Sequence, residues 1–109
     1  MTFRIFNKAL LAGIAALTVT ALHAQDYPTR PVRLIVPFPP GGSVDYVART
    51  ISQKFSENLG QTVIVDNKGG ASGTIGTYEA ARATPDGYTL LLVFDSHAVN
   101  NILYNLKYD

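Results

Sequence analysis

Two stretches of this chain place glycines where a strand hands over to a helix. In "VPFPPGGSVD", residues 36–45, Pro37, Pro39 and Pro40 precede Gly41 and Gly42. In "NKGGASGTIG", residues 67–76, Gly69, Gly70, Ala71, Ser72 and Gly73 lead toward a second helical segment. Prolines fix the path by which a chain leaves a strand, and glycines let the backbone approach a ligand with no Cβ in the way. A helix that starts just after such a stretch adds free N–H groups and the positive end of its dipole. This pattern suits a small anion, a carboxylate above all, held by main-chain amides. A proline-glycine pair after a strand also serves as a plain turn, and that reading stays open for either stretch alone.

Other chemistries find less support. There is no G-x-x-x-x-G-K-[ST] phosphate loop, no G-x-G to begin a dinucleotide fingerprint, and no G-x-S-x-G elbow. Asp95, Ser96 and His97 have the residue types of a triad, but neighbours in sequence do not line up in hydrogen-bonded series. The chain has no cysteine and only two histidines, His23 and His97, so a metal site would rest on carboxylates. Asp45 and Asp66 are read instead as caps of helices and loops. No metal and no cofactor is expected. Tyr27, Tyr46, Tyr78, Tyr88, Tyr104 and Tyr108 lack basic interleaving, which argues against nucleic acid.

The elements that must position these loops follow from periodicity. "VRLIVPF", Val32 to Phe38, is apolar and β-branched and predicts a buried strand with Pro37 at its end. From Ser43, apolar residues recur at helical spacing: Val44, Val47, Ala48, Ile51, Phe55 and Leu59. Ser43 is the expected N-cap, Asp45 an anion in the first turn, and Gly60 the stop. Thr62 to Asp66 predicts a second strand, Ile75 to Ala83 a second helix, and Pro85-Asp86-Gly87 a turn. Tyr88 to Phe94, nearly all apolar, predicts a third strand buried on both faces. Asp95 to Asp109 reads as a polar loop with a short helical turn near Ala98 to Leu103. Strand, helix, strand, helix, strand implies an α/β fold with a parallel sheet and right-handed crossovers. The loops after Phe38, Asp66 and Phe94 then share one sheet edge, where ligands of such sheets bind.

The 109 residues are 47% apolar and 16% charged, a globular composition for at most one small domain. Arg4 and Lys8 precede an apolar run from Ala9, and no acidic residue comes before Asp26. This predicts a secretory signal peptide over residues 1–24, cleaved after Ala24 or after Ala21, and a periplasmic product. The run is short for a membrane anchor, which needs about 20 apolar residues. Without the leader the chain has one more acidic than basic residue, so no cationic field favours nucleic acid or a membrane surface.

"YPTRPVRLIVPFPPGGSVDYVAR", "LGQTVIVDNKGGASGTIG", "TPDGYTLLL" and "DSHAVNNILY", in that order, resemble the solute-binding receptors of tripartite tricarboxylate transporters, the Bug family. The resemblance implies a two-lobed, Venus-flytrap periplasmic receptor that is not an enzyme. Such a receptor binds a small carboxylate or related solute and delivers it to membrane permease subunits. Carried onto this chain, it implies ligand-binding positions at Pro40, Gly41, Gly42, Ser43 and Asp45, and at Gly70, Ala71, Ser72 and Gly73. Ser96 and His97 resemble the next segment lining the cleft. The chain departs from the pattern at Lys68 and Gly69, where an arginine-proline pair is common, and at His97 after a serine. Members are also much longer, so residues 25–109 are expected to form a partial first lobe, the N-terminal half of it, with the second lobe absent and the chain truncated.

The competing expectation is a small secreted α/β hydrolase using Ser72 or Ser96 with His97. Replacing His97 with alanine separates the two. A receptor should keep its ligand binding largely intact by calorimetry, whereas a hydrolase should lose hydrolysis.

Overall fold

The computed structural model describes residues 26–108, and the expected leader lies outside them. Three parallel strands form one sheet in the order β2-β1-β3, with β1 at Val32–Val36, β2 at Val63–Asn67 and β3 at Thr89–Leu91. Val32 pairs with Val63 and Val36 with Asn67, while Arg33 to Ile35 pair with Thr89 to Leu91. Helix α1 spans Ser43–Leu59, α2 spans Thr74–Ala81 and α3 spans Ser96–Leu103.

Alternation along β1 sends its side chains to two faces. Val32, Leu34 and Val36 are buried with Val63 and with Val44 and Ala48 of α1. Arg33, Ile35 and Pro37 belong to the other face, where α2 brings Glu79 to Arg33 and Gly76 to Pro37. Helices therefore cover both faces of β1, which explains why Ile35 and Val36 are alike fully buried. Each such side chain taken from water stabilises the fold by about 1.5–3 kcal/mol.

The strands are shorter than their apolar runs. β1 stops at Val36 because Pro37 has no N–H to give; the last ladder bonds run from Leu92 N to Ile35 O and from Lys68 N to Val36 O. β3 is an edge strand among the described residues, and its three residues are half-buried rather than buried on both faces. Phe94 has left the sheet and is exposed. The helical turn expected near Ala98 to Leu103 is a helix that starts two residues earlier, at Ser96.

Helix α1 also corrects its expected face. Val44 and Ala48 are buried, but the next position on that stripe is Ser52, while Val47 and Phe55 are exposed. Ser56 accepts a hydrogen bond from Val63 N at 2.9 Å, so this serine face ties α1 to β2. Gly60 ends the helix in the left-handed conformation, as the sequence predicts. Ser43 is not the cap: Gly42 holds that position, without a side-chain bond. Asp66 is not a cap either. It accepts Arg33 Nε at 2.7 Å in a half-exposed cluster with Glu79 and Lys68 on the α2 face.

Gly76 lets α2 approach the end of β1. A Cβ there would lie 2.7 Å from Lys68 O and 2.7 Å from Pro37 Cβ. A backbone oxygen and a rigid proline ring cannot yield as a flexible side chain would. The cost of overpacking, about 1–3 kcal/mol, should thus outweigh the gain of about 1 kcal/mol in helix propensity. Gly76→Ala is expected to lose about 1 kcal/mol or more in urea unfolding, and a gain in stability would contradict this packing.

Candidate functional site

All three strands are parallel, so the loops that follow them open at one edge. The first loop, residues 37–42, and the second, residues 68–73, touch each other there. Asn67 Nδ2 donates to Phe38 O at 3.1 Å. A Cβ on Gly69 would lie 3.2 Å from Pro39 N, and one on Gly73 would lie 3.3 Å from Phe38 Cζ. Glycines at these two positions ease the close approach of the loops.

Asp45 braces this junction from below. Only 3% exposed, its carboxylate accepts the Gly41 N–H at 2.9 Å, Arg49 Nε at 2.9 Å and Asn67 Nδ2 at 2.9 Å. Arg49 Nη2 in turn donates to Asn67 Oδ1 at 3.2 Å. The Arg49 guanidinium, then the Gly41 amide and Asn67, hold the Asp45 carboxyl at about 2, below its ordinary 3.8. Its contacts are all internal, and it fixes the first loop against α1 and β2. Of these partners, Arg49 was legible as the i+4 neighbour of an acid on a helix. Asn67, at a strand end, carried no such signal.

The second loop contains a left-handed turn. φ is 127° at Gly70, 46° at Ala71, 55° at Ser72 and 86° at Gly73. Glycine adopts such angles freely, but for Ala71 and Ser72 they cost about 1–2 kcal/mol each. The turn closes through Gly73 N to Gly70 O at 3.0 Å and Thr74 N to Ala71 O. The Gly41 and Gly73 amides are thus used inside the fold. Among the described residues, no acceptor is found for the amides of Ser43 and Val44 at the start of α1, or for those of Ala71 and Ser72. Ser43, Ala71 and Ser72 are exposed, beside the N-terminal ends of α1 and α2. Pro40 and Gly42 are exposed in the same loop mouth. Donors without partners at two helix starts favour an anion.

Ser96 and His97 open α3, and the His97 ring stacks on Tyr108 with centroids 6.4 Å apart. Among the described residues no side-chain hydrogen bond joins either of them to the first two loops, and none joins Ser72 or Ser96 to His97. The link between α3 and the second loop is Asn100, which the sequence reading did not single out; its Nδ2 donates to Ser72 O at 3.1 Å. A cleft of about 340 Å³ lies elsewhere, between α2 and residues 104–108. No group of three or more potential metal ligands occurs among the described residues.

The profile of the tripartite tricarboxylate transporter family receptor matches residues 47–109. The chain belongs to this receptor family. The match begins inside α1, so the first loop lies before it. BugT of Bordetella pertussis is 52% identical over 81 residues, covering 74% of this chain and 24% of BugT. The periplasmic binding protein BugD shares 57% identity with a TM-score of 0.58, over 60% of this chain and 22% of BugD. MatC of Rhodopseudomonas palustris, solved with bound malate, is 43% identical with a TM-score of 0.58. An R. palustris protein solved with adipate is 45% identical with a TM-score of 0.58; this match and MatC's each cover 60% of this chain and 22% of the other. The chain spans about a quarter of the length of BugT. Its sheet and helices are part of the periplasmic-binding-protein fold of these Bug receptors, which are solute-binding proteins. Among the described residues no helix is long and apolar enough to cross a membrane.

The Asp45 brace gives a pH dependence with a definite sign. Its folded value lies below the unfolded one, so its contribution to stability is present above 3.8 and is lost as pH falls from there toward about 2. Asp45→Asn should lower the thermal midpoint at neutral pH. The gap from the unaltered chain should shrink across that acid window, and a gap that stays constant would contradict the assignment.

Proposed function

We propose that this chain is a periplasmic solute-binding receptor, exported by its leader, whose first two loops hold a carboxylate group for delivery to tripartite-transporter permease subunits. The observation that carries this reading is the meeting of two loops, at the starts of α1 and α2, with amides that lack acceptors. The malate and adipate bound to similar proteins support a small organic acid as ligand. Ser43, Ala71 and Ser72 supply donors, Gly41 and Gly42 keep side chains out of the way, and Gly70 and Gly73 permit the turn that presents the second loop. Pro40 stiffens the approach, and Asp45 holds the first loop in place. Ser96 and His97 line the third side.

With donors from these loops alone, residues 26–108 should bind weakly, near a millimolar dissociation constant, or about −4 kcal/mol. Titrating malate into the isotope-labelled chain should shift the amide resonances of Ser43, Val44, Ala71 and Ser72 together, with one midpoint. Shifts confined to other residues, or none up to tens of midpoint equivalents, would count against the site. Micromolar affinity by calorimetry in a proven monomer would show that these loops suffice without an opposing wall.

A further inference from the structure

We propose that Asn100 is the positioning residue of the second loop: from the buried side of α3 it holds the Ser72 carbonyl and so keeps the left-handed turn in its donor-presenting shape. For its effect on ligand this rests on the carboxylate reading above. Helix α3 is amphipathic in an unusual sense. Ile102 and Leu103 are exposed, whereas Asn100 is its most buried residue at 2% exposure. A buried amide side chain is unfavourable unless it is partnered, and an aliphatic residue would serve packing better. Packing alone therefore gives no reason for an asparagine here.

The partner supplies one. Asn100 Nδ2 donates to Ser72 O at 3.1 Å across 28 residues of sequence. Ser72, with Ala71, is one of the two non-glycine residues with positive φ among the described residues. A strained turn persists only where its surroundings over-determine it. The clamp comes from outside the loop, and Asn100 Oδ1 has no partner among the described residues, so the bond to Ser72 is the polar contact that places this side chain. It also joins α3, and with it Ser96 and His97, to the donors of the second loop.

The test uses the full chain by nuclear magnetic resonance, with malate as probe. Asn100→Asp keeps size but sets a carboxylate oxygen against the Ser72 carbonyl. In the free protein, the amide-to-Hα couplings of Ala71 and Ser72 should leave their positive-φ values. On titration, the midpoint for malate should rise about tenfold, and the Ala71 and Ser72 shifts should fall relative to those of Ser43. Couplings that stay as in the unaltered chain would overturn the proposal. Altered couplings with an unchanged midpoint would also overturn it while leaving the carboxylate reading intact. No response at any loop of the unaltered chain would defeat that reading itself, and with it the role of Asn100 in binding. Should Asn100→Asp fail to fold, side-chain amide exchange in the unaltered chain decides: Asn100 should exchange far more slowly than exposed Asn58, and equal rates would refute the clamp.

Discussion

A carboxylate withdrawn from water must find donors, and Asp45 finds three on three different elements. One is the Gly41 amide in the first loop, one is Arg49 a turn later on α1, and one is Asn67 at the end of β2. Because a single pair of oxygens satisfies all three, the loop, the helix and the neighbouring strand take up fixed relative positions. The second loop inherits that order, since Asn67 also donates to Phe38 O and since Gly69 and Gly73 lie against Pro39 and Phe38. What would otherwise be two separate turns becomes one mouth. Asp45 is thus the internal brace of that mouth.

The sheet order adds a second constraint. With β1 between β2 and β3, the chain crosses one face through α1 and the other through α2, and the strand order reverses at β1. Ligands of open α/β sheets bind at the carboxyl ends of strands beside such a reversal. The first loop leaves β1 at that point, and α3 follows β3 on its other flank. Asn100 then brings α3 back onto the second loop. All three strand ends are in this way tied to one another by side chains whose own positions come from regular elements.

The order of elements, the parallel pairing and the convergence of two glycine loops were legible from periodicity and turn chemistry. Those signals are local, and the elements they define are held by strong hydrophobic patterning. Strand lengths were not legible, because an apolar run marks burial rather than pairing: β3 pairs for three residues of a seven-residue run. Ser43 looked like a cap, yet the loop geometry gave that place to Gly42 and used Asp45 to satisfy the nearby amide. Asn67 and Asn100 were invisible because an asparagine in sequence shows neither its burial nor its partner. Both act across distances that only the folded chain defines. Arg33 with Asp66 could have been suspected only from the register of two adjacent strands.

The departure at Lys68 and Gly69 from the resembled pattern bears on charge at the mouth. Lys68 Nζ lies 3.9 Å from both Asp66 and Glu79, in the cluster on the α2 face, so its charge is engaged with acids there. Gly69 meets Pro39 so closely that a Cβ would sit 3.2 Å from its nitrogen, tighter than ordinary contact. Glycine in place of the pattern's proline relaxes the junction of the two loops and adds a main-chain N–H. A mouth built on main-chain amides is insensitive to side-chain changes other than those to or from proline, because every residue except proline carries the same N–H. What it does require is the backbone conformation, and buried Asp45 and Asn100 each bond to the backbone of one of the two loops.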